Sequence, residues 1–151
     1  HTPPVFPIKG QLLALQMDVR LPLLKHVMWT PQLYLVPRKD GRLIIGATVE
    51  DKGFDASLTA GGILHLLRET WEILPGIEEL PLLESWAGFR PTSRDDAPIL
   101  GASAIENLHF ATGQHRHGIL MTPLLASSIC AYICGGSLPD VAAPFTMARF
   151  K

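Results

Sequence analysis

The sequence predicts an α+β fold, a mostly antiparallel sheet with one packed helix, completed by a C-terminal strand–loop–helix unit. Three observations predict it. Asp40-Gly41 separates two short apolar runs, an amphipathic stripe extends from Ile63 to Leu74, and a late apolar run ending at Gly113 re-enters an apolar helix at Gly118.

The hairpin comes first. Gln11–Leu15 is strand-like after Lys9-Gly10, and Leu33–Pro37 and Leu43–Val49 flank Arg38-Lys39-Asp40-Gly41. Asp-Gly tolerates positive φ, and so short a connection requires antiparallel pairing. In the helix, Ile63, Leu67, Trp71 and Leu74 recur at three- and four-residue spacing, widened by Leu64 and Leu66, with His65, Arg68, Glu69 and Glu72 between them. Asp55, Ser57 and Thr59 are candidate N-caps, and Pro75-Gly76 is the stop. Leu82–Arg90 reads as a further strand before the polar loop Pro91–Asp96; Pro98–Gly101 is extended and Leu108–Thr112 is a buried strand. The last helix spans Ile119–Cys134, with Pro123 tolerated near its first turn and Gly135-Gly136 as its cap. The tail from Ser137 is rich in turn residues.

Composition narrows the function classes. A length of 151 residues suits one core of ordinary size, and a net charge of -1 gives no electrostatic basis for binding nucleic acid or an anionic membrane. The apolar stretch 119–134 is shorter than the roughly 20 residues of a membrane span, and Thr122, Pro123, Ser127 and Ser128 interrupt it. Cys130 and Cys134 share a helix face without a second Cys or His pair, so they read as buried reduced thiols of a cytoplasmic protein. His115 and His117 lack a third ligand in sequence, which leaves no metal site. No signal peptide opens the chain, and because it begins on His1 rather than Met it is expected to be a fragment, with a processed product or a trimmed chain as the alternatives.

Three places can carry chemistry. The turn between Gly113 and Gly118 leaves free N–H groups at a helix N-terminus, which stabilises nearby negative charge; an ordinary tight connection has the same spacing. Arg90, ending an apolar strand and followed by Pro91, projects a guanidinium suited to clamping a carboxylate, as does Arg116 from the loop; a surface salt bridge is the alternative for both. Tyr34 alternates with Leu33 and Leu35, so its hydroxyl is either a core group needing a partner or a donor to a ligand.

Four segments together resemble the D-amino-acid-oxidase superfamily of flavoproteins, and within it the glycine oxidases of thiamine biosynthesis. They are Phe6-Pro7-Ile8-Lys9-Gly10-Gln11; Tyr34-Leu35-Val36-Pro37-Arg38 with Gly41 to Glu50; Trp86 to Pro91 leading to Asp96-Ala97-Pro98-Ile99-Leu100-Gly101; and Ala111 to Leu120. The family loop usually reads Gly-His-aromatic-Arg-Asn-Gly; here Gln114, His115 and His117 fill the variable places, while Arg116 and both glycines are kept.

The resemblance implies an FAD-dependent oxidase of glycine or a similar small amine, forming an imine and hydrogen peroxide, with sarcosine or D-amino-acid oxidation as the alternative within the superfamily. A non-catalytic assembly module is the alternative outside it. Residues 1–107 would belong to the substrate-binding domain, 108–136 would be a strand–loop–helix completing the FAD domain, and 137–151 a tail. Arg90 would pair with the substrate carboxylate, Tyr34 would donate to it, Arg116 would lie beside substrate and flavin, and Val49 would line the pocket. Gly113, Gln114, His115, Arg116, His117, Gly118, Ile119 and Leu120 would face the FAD. No G-x-G-x-x-G turn is present, so the pyrophosphate would be held by an N-terminal FAD-binding segment outside this chain. The apolar helix face meant for that segment would make the fragment a homo-oligomer.

Overall fold

The computed structural model describes residues 2–150. They form two compact units, one of Lys9–Phe89 and one that joins residues up to Ile8 with those from Arg90 onward. The α+β expectation holds, with seven strands and two α-helices among the described residues.

Strands β1 (Val5–Gln16), β2 (Met28–Trp29), β3 (Tyr34–Pro37), β4 (Arg42–Gly46) and β5 (Leu82–Ser93) make a five-stranded sheet in the order β2-β3-β4-β1-β5. The Asp40-Gly41 hairpin forms as expected, pairing Val36 with Ile44 and Pro37 with Leu43. β4 then pairs antiparallel with β1, setting Ile45 against Leu13 and Leu43 against Leu15. Because side chains alternate along a strand, this register puts Leu13, Leu15, Leu35, Leu43 and Ile45 on one face. There they are buried with Leu33, Met17, Ile77 and Leu66, the last from helix α1 (Ala60–Ile73).

Two sequence expectations shift inside this unit. β4 ends at Gly46 rather than Val49; beyond it Thr48 N donates to Gln11 O at 3.2 Å, and Lys9 and Glu50 form an isolated bridge. In α1 the buried positions are Leu66 and Thr70, whereas Trp71 is half-exposed and donates its indole N–H to Glu78 Oε2 at 3.0 Å. The Thr70 hydroxyl is tolerated in the core because it donates back to Leu66 O at 2.7 Å. Thr59 is the N-cap, accepting from Gly62 N. As expected, α1 stops ahead of Pro75-Gly76, with Leu74 as its C-cap, and a separate 3-10 turn, Pro75–Glu79, follows.

In the second unit, β6 (Ile99–Ala102) pairs with β7 (His109–Thr112), and α2 (Gly118–Gly135) packs over them through Leu125 and Leu100 with Ala142. β5 continues through Pro91 to Ser93, so three residues expected in a loop are strand. Pro123 lies in the second turn of α2, not its first, where it removes one ladder bond. Cys130 and Cys134 are exposed rather than buried, because the helix turns Leu125 and Ser128 inward and its other sides outward. At 18 residues and a mean hydropathy of 1.6, α2 is long and apolar enough by length and composition to cross a membrane, although only 11% of it is buried. Chain compactness groups 90–107 and the tail with β7 and α2.

Candidate substrate- and cofactor-facing site

The sheet face opposite the helix carries the first group of site residues. Tyr34 of β3, Gly46 of β4 and Leu12 of β1 stand in one row across three strands. The row works because position 46 has no side chain: a Cβ there would lie 2.7 Å from Tyr34 Cζ and 2.9 Å from Leu12 Cδ2. Beside this row Val36, Ile44 and Trp86 line an open groove of about 570 Å³. Its mouth is charged, with Arg42 Nε 2.8 Å from Asp40 Oδ2 and Arg42 Nη1 3.6 Å from Glu84 Oε1. Trp29 flanks Tyr34, with ring centroids 5.9 Å apart. Val49 lies past the end of β4 and is exposed.

A buried polar network that the sequence reading did not identify anchors the strand that supplies Leu12. Lys9 and Gln11 are both buried. Gln11 Nε2 donates to Glu50 Oε1 at 2.8 Å and to the Thr59 hydroxyl at 3.0 Å, while Gln11 Oε1 accepts from Thr59 N at 2.9 Å. Lys9 Nζ donates to Ser57 O at 2.5 Å and lies 3.7 Å from Glu50 Oε2. Burial pushes the Glu50 carboxyl up. Hydrogen bonds from Thr48 and Gln11 and the Lys9 charge together outweigh it, so the group sits below its ordinary value. The network ties β1 to the first turn of α1. The one clue in sequence was the polar Lys-Gly-Gln run inside an otherwise apolar strand.

The second unit carries Arg90 and the loop. Arg90 projects from β5. Gly113 adopts φ +80° and His115 φ +49°, which fold the chain sharply between β7 and α2. At Gly113 an added Cβ would come within 3.3 Å of Ser93 Cβ, so space as well as backbone conformation favours glycine. The loop is held against β5: His115 N donates to Pro91 O at 2.9 Å, and Thr92 bridges Gln114. Arg116 is exposed. His117 is the N-cap of α2 but offers no side-chain bond to it, so the first turn has no side-chain cap, and Ile119 and Leu120 are exposed.

His115 is the best-defined side chain here. Its Nδ1 lies 3.2 Å from Asp96 Oδ1, and its Nε2 is buried with no hydrogen-bond partner among the described residues. Burial pushes the imidazole below its ordinary value; Asp96 opposes this, while the Arg116 and Arg90 charges reinforce it. One imidazole thus registers both arginines singled out from sequence. Tyr34 and Val49 belong to the other compact unit. Asp96 was missed because it was read only as part of a polar loop; its φ of +57° is the feature that turns it toward His115.

Comparison with known proteins identifies the family. The family model described as FAD dependent oxidoreductase matches residues 1–132. The bifunctional protein ThiO/ThiG of Trichormus variabilis is 40% identical over 150 residues, which cover 98% of this chain and 23% of that protein. The glycine oxidase of Geobacillus kaustophilus is 33% identical over 96% of this chain and 38% of its own length. The crystal structure of the glycine oxidase from that organism superposes with a TM-score of 0.86 at 32% identity, over 98% of this chain and 40% of that one. The chain therefore spans less than half the length of these relatives. With a family match over most of its residues and a fold shared with a solved glycine oxidase, the chain belongs to the FAD-dependent oxidoreductase family typified by D-amino-acid oxidases.

Proposed function

We propose that this chain supplies the substrate-facing part of an amino-acid oxidase that converts glycine or a similarly small amine to an imine, with dioxygen reduced to hydrogen peroxide. The observation that carries the reading is that His115 N donates to Pro91 O at 2.9 Å, which ties the loop carrying His115 and Arg116 to the strand that bears Arg90, beside a helix N-terminus without a side-chain cap. Two guanidiniums can hold a substrate carboxylate and so fix the orientation of its Cα. In the other unit, the resemblance to glycine oxidases makes the Tyr34 hydroxyl a candidate donor to substrate and Val49 a candidate apolar contact.

The residues present fit FAD in part. The uncapped first turn of α2 offers N–H groups to an electron-rich ring edge, Gly118 carries no side chain to obstruct approach, and His115 Nε2 is an unpaired buried atom. Gly113 to Leu120 would therefore form the contact with the cofactor. FAD, when bound, supplies the two-electron acceptor that no side chain provides. The segment holding its pyrophosphate corresponds to the part of the relatives that this chain does not span.

A substrate panel tests the reading in the whole protein that carries this chain. Peroxide release should be faster with glycine or sarcosine than with bulky D-amino acids. A strong preference for a bulky D-amino acid contradicts the small-amine assignment.

A further inference from the structure

The turn after β5 carries two adjacent aspartates that hold opposite parts of the same unit. Asp95 takes Arg149 in a two-pronged ion pair, Nε to Oδ2 at 2.7 Å and Nη2 to Oδ1 at 3.1 Å. The same guanidinium donates to Ala97 O at 2.8 Å and to Thr146 O at 3.2 Å, and its Cζ lies 4.3 Å from the centre of the Phe150 ring. Ser93 closes the turn from within, its hydroxyl 2.9 Å from Asp95 Oδ1 and 2.7 Å from Ala97 O. Asp96, the next residue, holds His115 at 3.2 Å.

This arrangement does more than pin a chain end. Asp96 and His115 both hold left-handed backbone conformations, which cost non-glycine residues free energy and persist only where surrounding contacts fix them. On the Asp96 side those contacts are the Arg149 clamp and the Ser93 bonds. A side chain 54 residues away from Asp95 in sequence thus stabilises the turn from which Asp96 reaches the loop.

We propose that Arg149 is a positioning residue for the 113–118 loop, acting through the two adjacent aspartates of the 93–97 turn. The inference rests on the reading above that this loop faces substrate and FAD. Arg149 touches neither. It keeps Asp96 where the His115 imidazole meets it, and thereby keeps Arg116, the next residue, on a fixed backbone. The charged groups acting on His115 are Asp96, Arg116 and Arg90.

The test uses the whole flavin-loaded protein with isotopically labelled histidine, the His115 resonance being assigned by its loss in His115→Gln. In Arg149→Ala the loop loosens, burial of the imidazole is relieved, and its titration midpoint moves up toward the ordinary histidine value. FAD, followed by its fluorescence on release, binds several-fold more weakly. Arg149→Lys, which keeps the charge but not the second prong, falls between. Should Arg149→Ala fail to fold, Asp95→Asn removes the same ion pair and is expected to move the resonance in the same direction. An unchanged His115 titration in a folded variant, with only the melting temperature lowered, overturns the positioning role. A shifted titration with unchanged FAD affinity upholds it and instead removes the reading that the loop faces FAD.

Discussion

The Tyr34 ring lies against the backbone of Gly46, its register partner on the neighbouring strand, at a distance that leaves no room for a side chain there. The phenol is thus placed by an absence as much as by a contact. Gly46→Ala puts a methyl group 2.7 Å from the ring and hydroxyl, and overpacking of this kind costs about 1–3 kcal/mol. The expected outcome is a lower urea midpoint and a raised KM for the amino-acid substrate. An unchanged KM would mean that the Tyr34 hydroxyl takes no part in binding.

Gln11 joins strand β1 to the helix cap. Gln11→Ala leaves the Thr59 N–H and the acceptors around Glu50 without their partner. Unpaired buried polar groups cost about 1–3 kcal/mol each, so unfolding should occur at distinctly lower denaturant. Gln11→Glu keeps the acceptor for Thr59 N but adds a negative charge beside Glu50, and is expected to be worse than Gln11→Ala above neutral pH. Equilibrium unfolding of the three proteins decides the order.

The Asp95–Arg149 pair predicts a pH dependence whose sign follows from linkage. The Arg149 hydrogen bonds, aided by Ser93 and the Ala97 N–H, hold the Asp95 carboxyl far below its ordinary value of 3.8. A carboxyl depressed in the folded state stabilises the protein fully above its unfolded value, and that stabilisation is lost as pH falls further. Asp95→Asn should therefore lower the urea midpoint at pH 7, with the deficit shrinking as pH drops below about 4. A deficit independent of pH would show that the pair acts through packing alone.

Expressed by itself, the chain leaves most of α2 uncovered, including Ile119 at 94% and Leu120 at 80% exposure. Apolar faces of this kind favour association, so light scattering should find a dimer or larger species. A clean monomer at high concentration would contradict this.

What the sequence made legible was what is local or periodic. The Asp40-Gly41 turn, the alternation that buries Leu13 and Leu15, and the glycines bracketing the loop follow from short-range chemistry, and Arg90 and Arg116 could be singled out because arginine at a rigid strand end or in a glycine-bounded loop suits carboxylate binding. The misreadings have physical reasons. Trp71 matches the helical stripe, but Thr70 can be buried in its place by bonding to the preceding turn, which periodicity does not register. Cys130 and Cys134 were placed inside on residue type, yet α2 is apolar on most sides and only tertiary packing selects which side is covered. Asp96–His115 and Asp95–Arg149 join residues 19 and 54 positions apart through turns whose backbone angles no composition rule supplies.

The central claim, that Arg90 anchors the substrate carboxylate, is tested most directly by titrating the whole flavoprotein with acetate, a carboxylate that cannot be oxidised as an amine. Binding is followed by the change in flavin absorbance. A charge-assisted hydrogen-bonded pair contributes about 1.5–3 kcal/mol, so Arg90→Ala should weaken acetate roughly tenfold to a hundredfold. Arg90→Lys should recover part of that loss, and FAD affinity should stay unchanged. Acetate binding as tight in Arg90→Ala as in the unaltered protein would contradict the account.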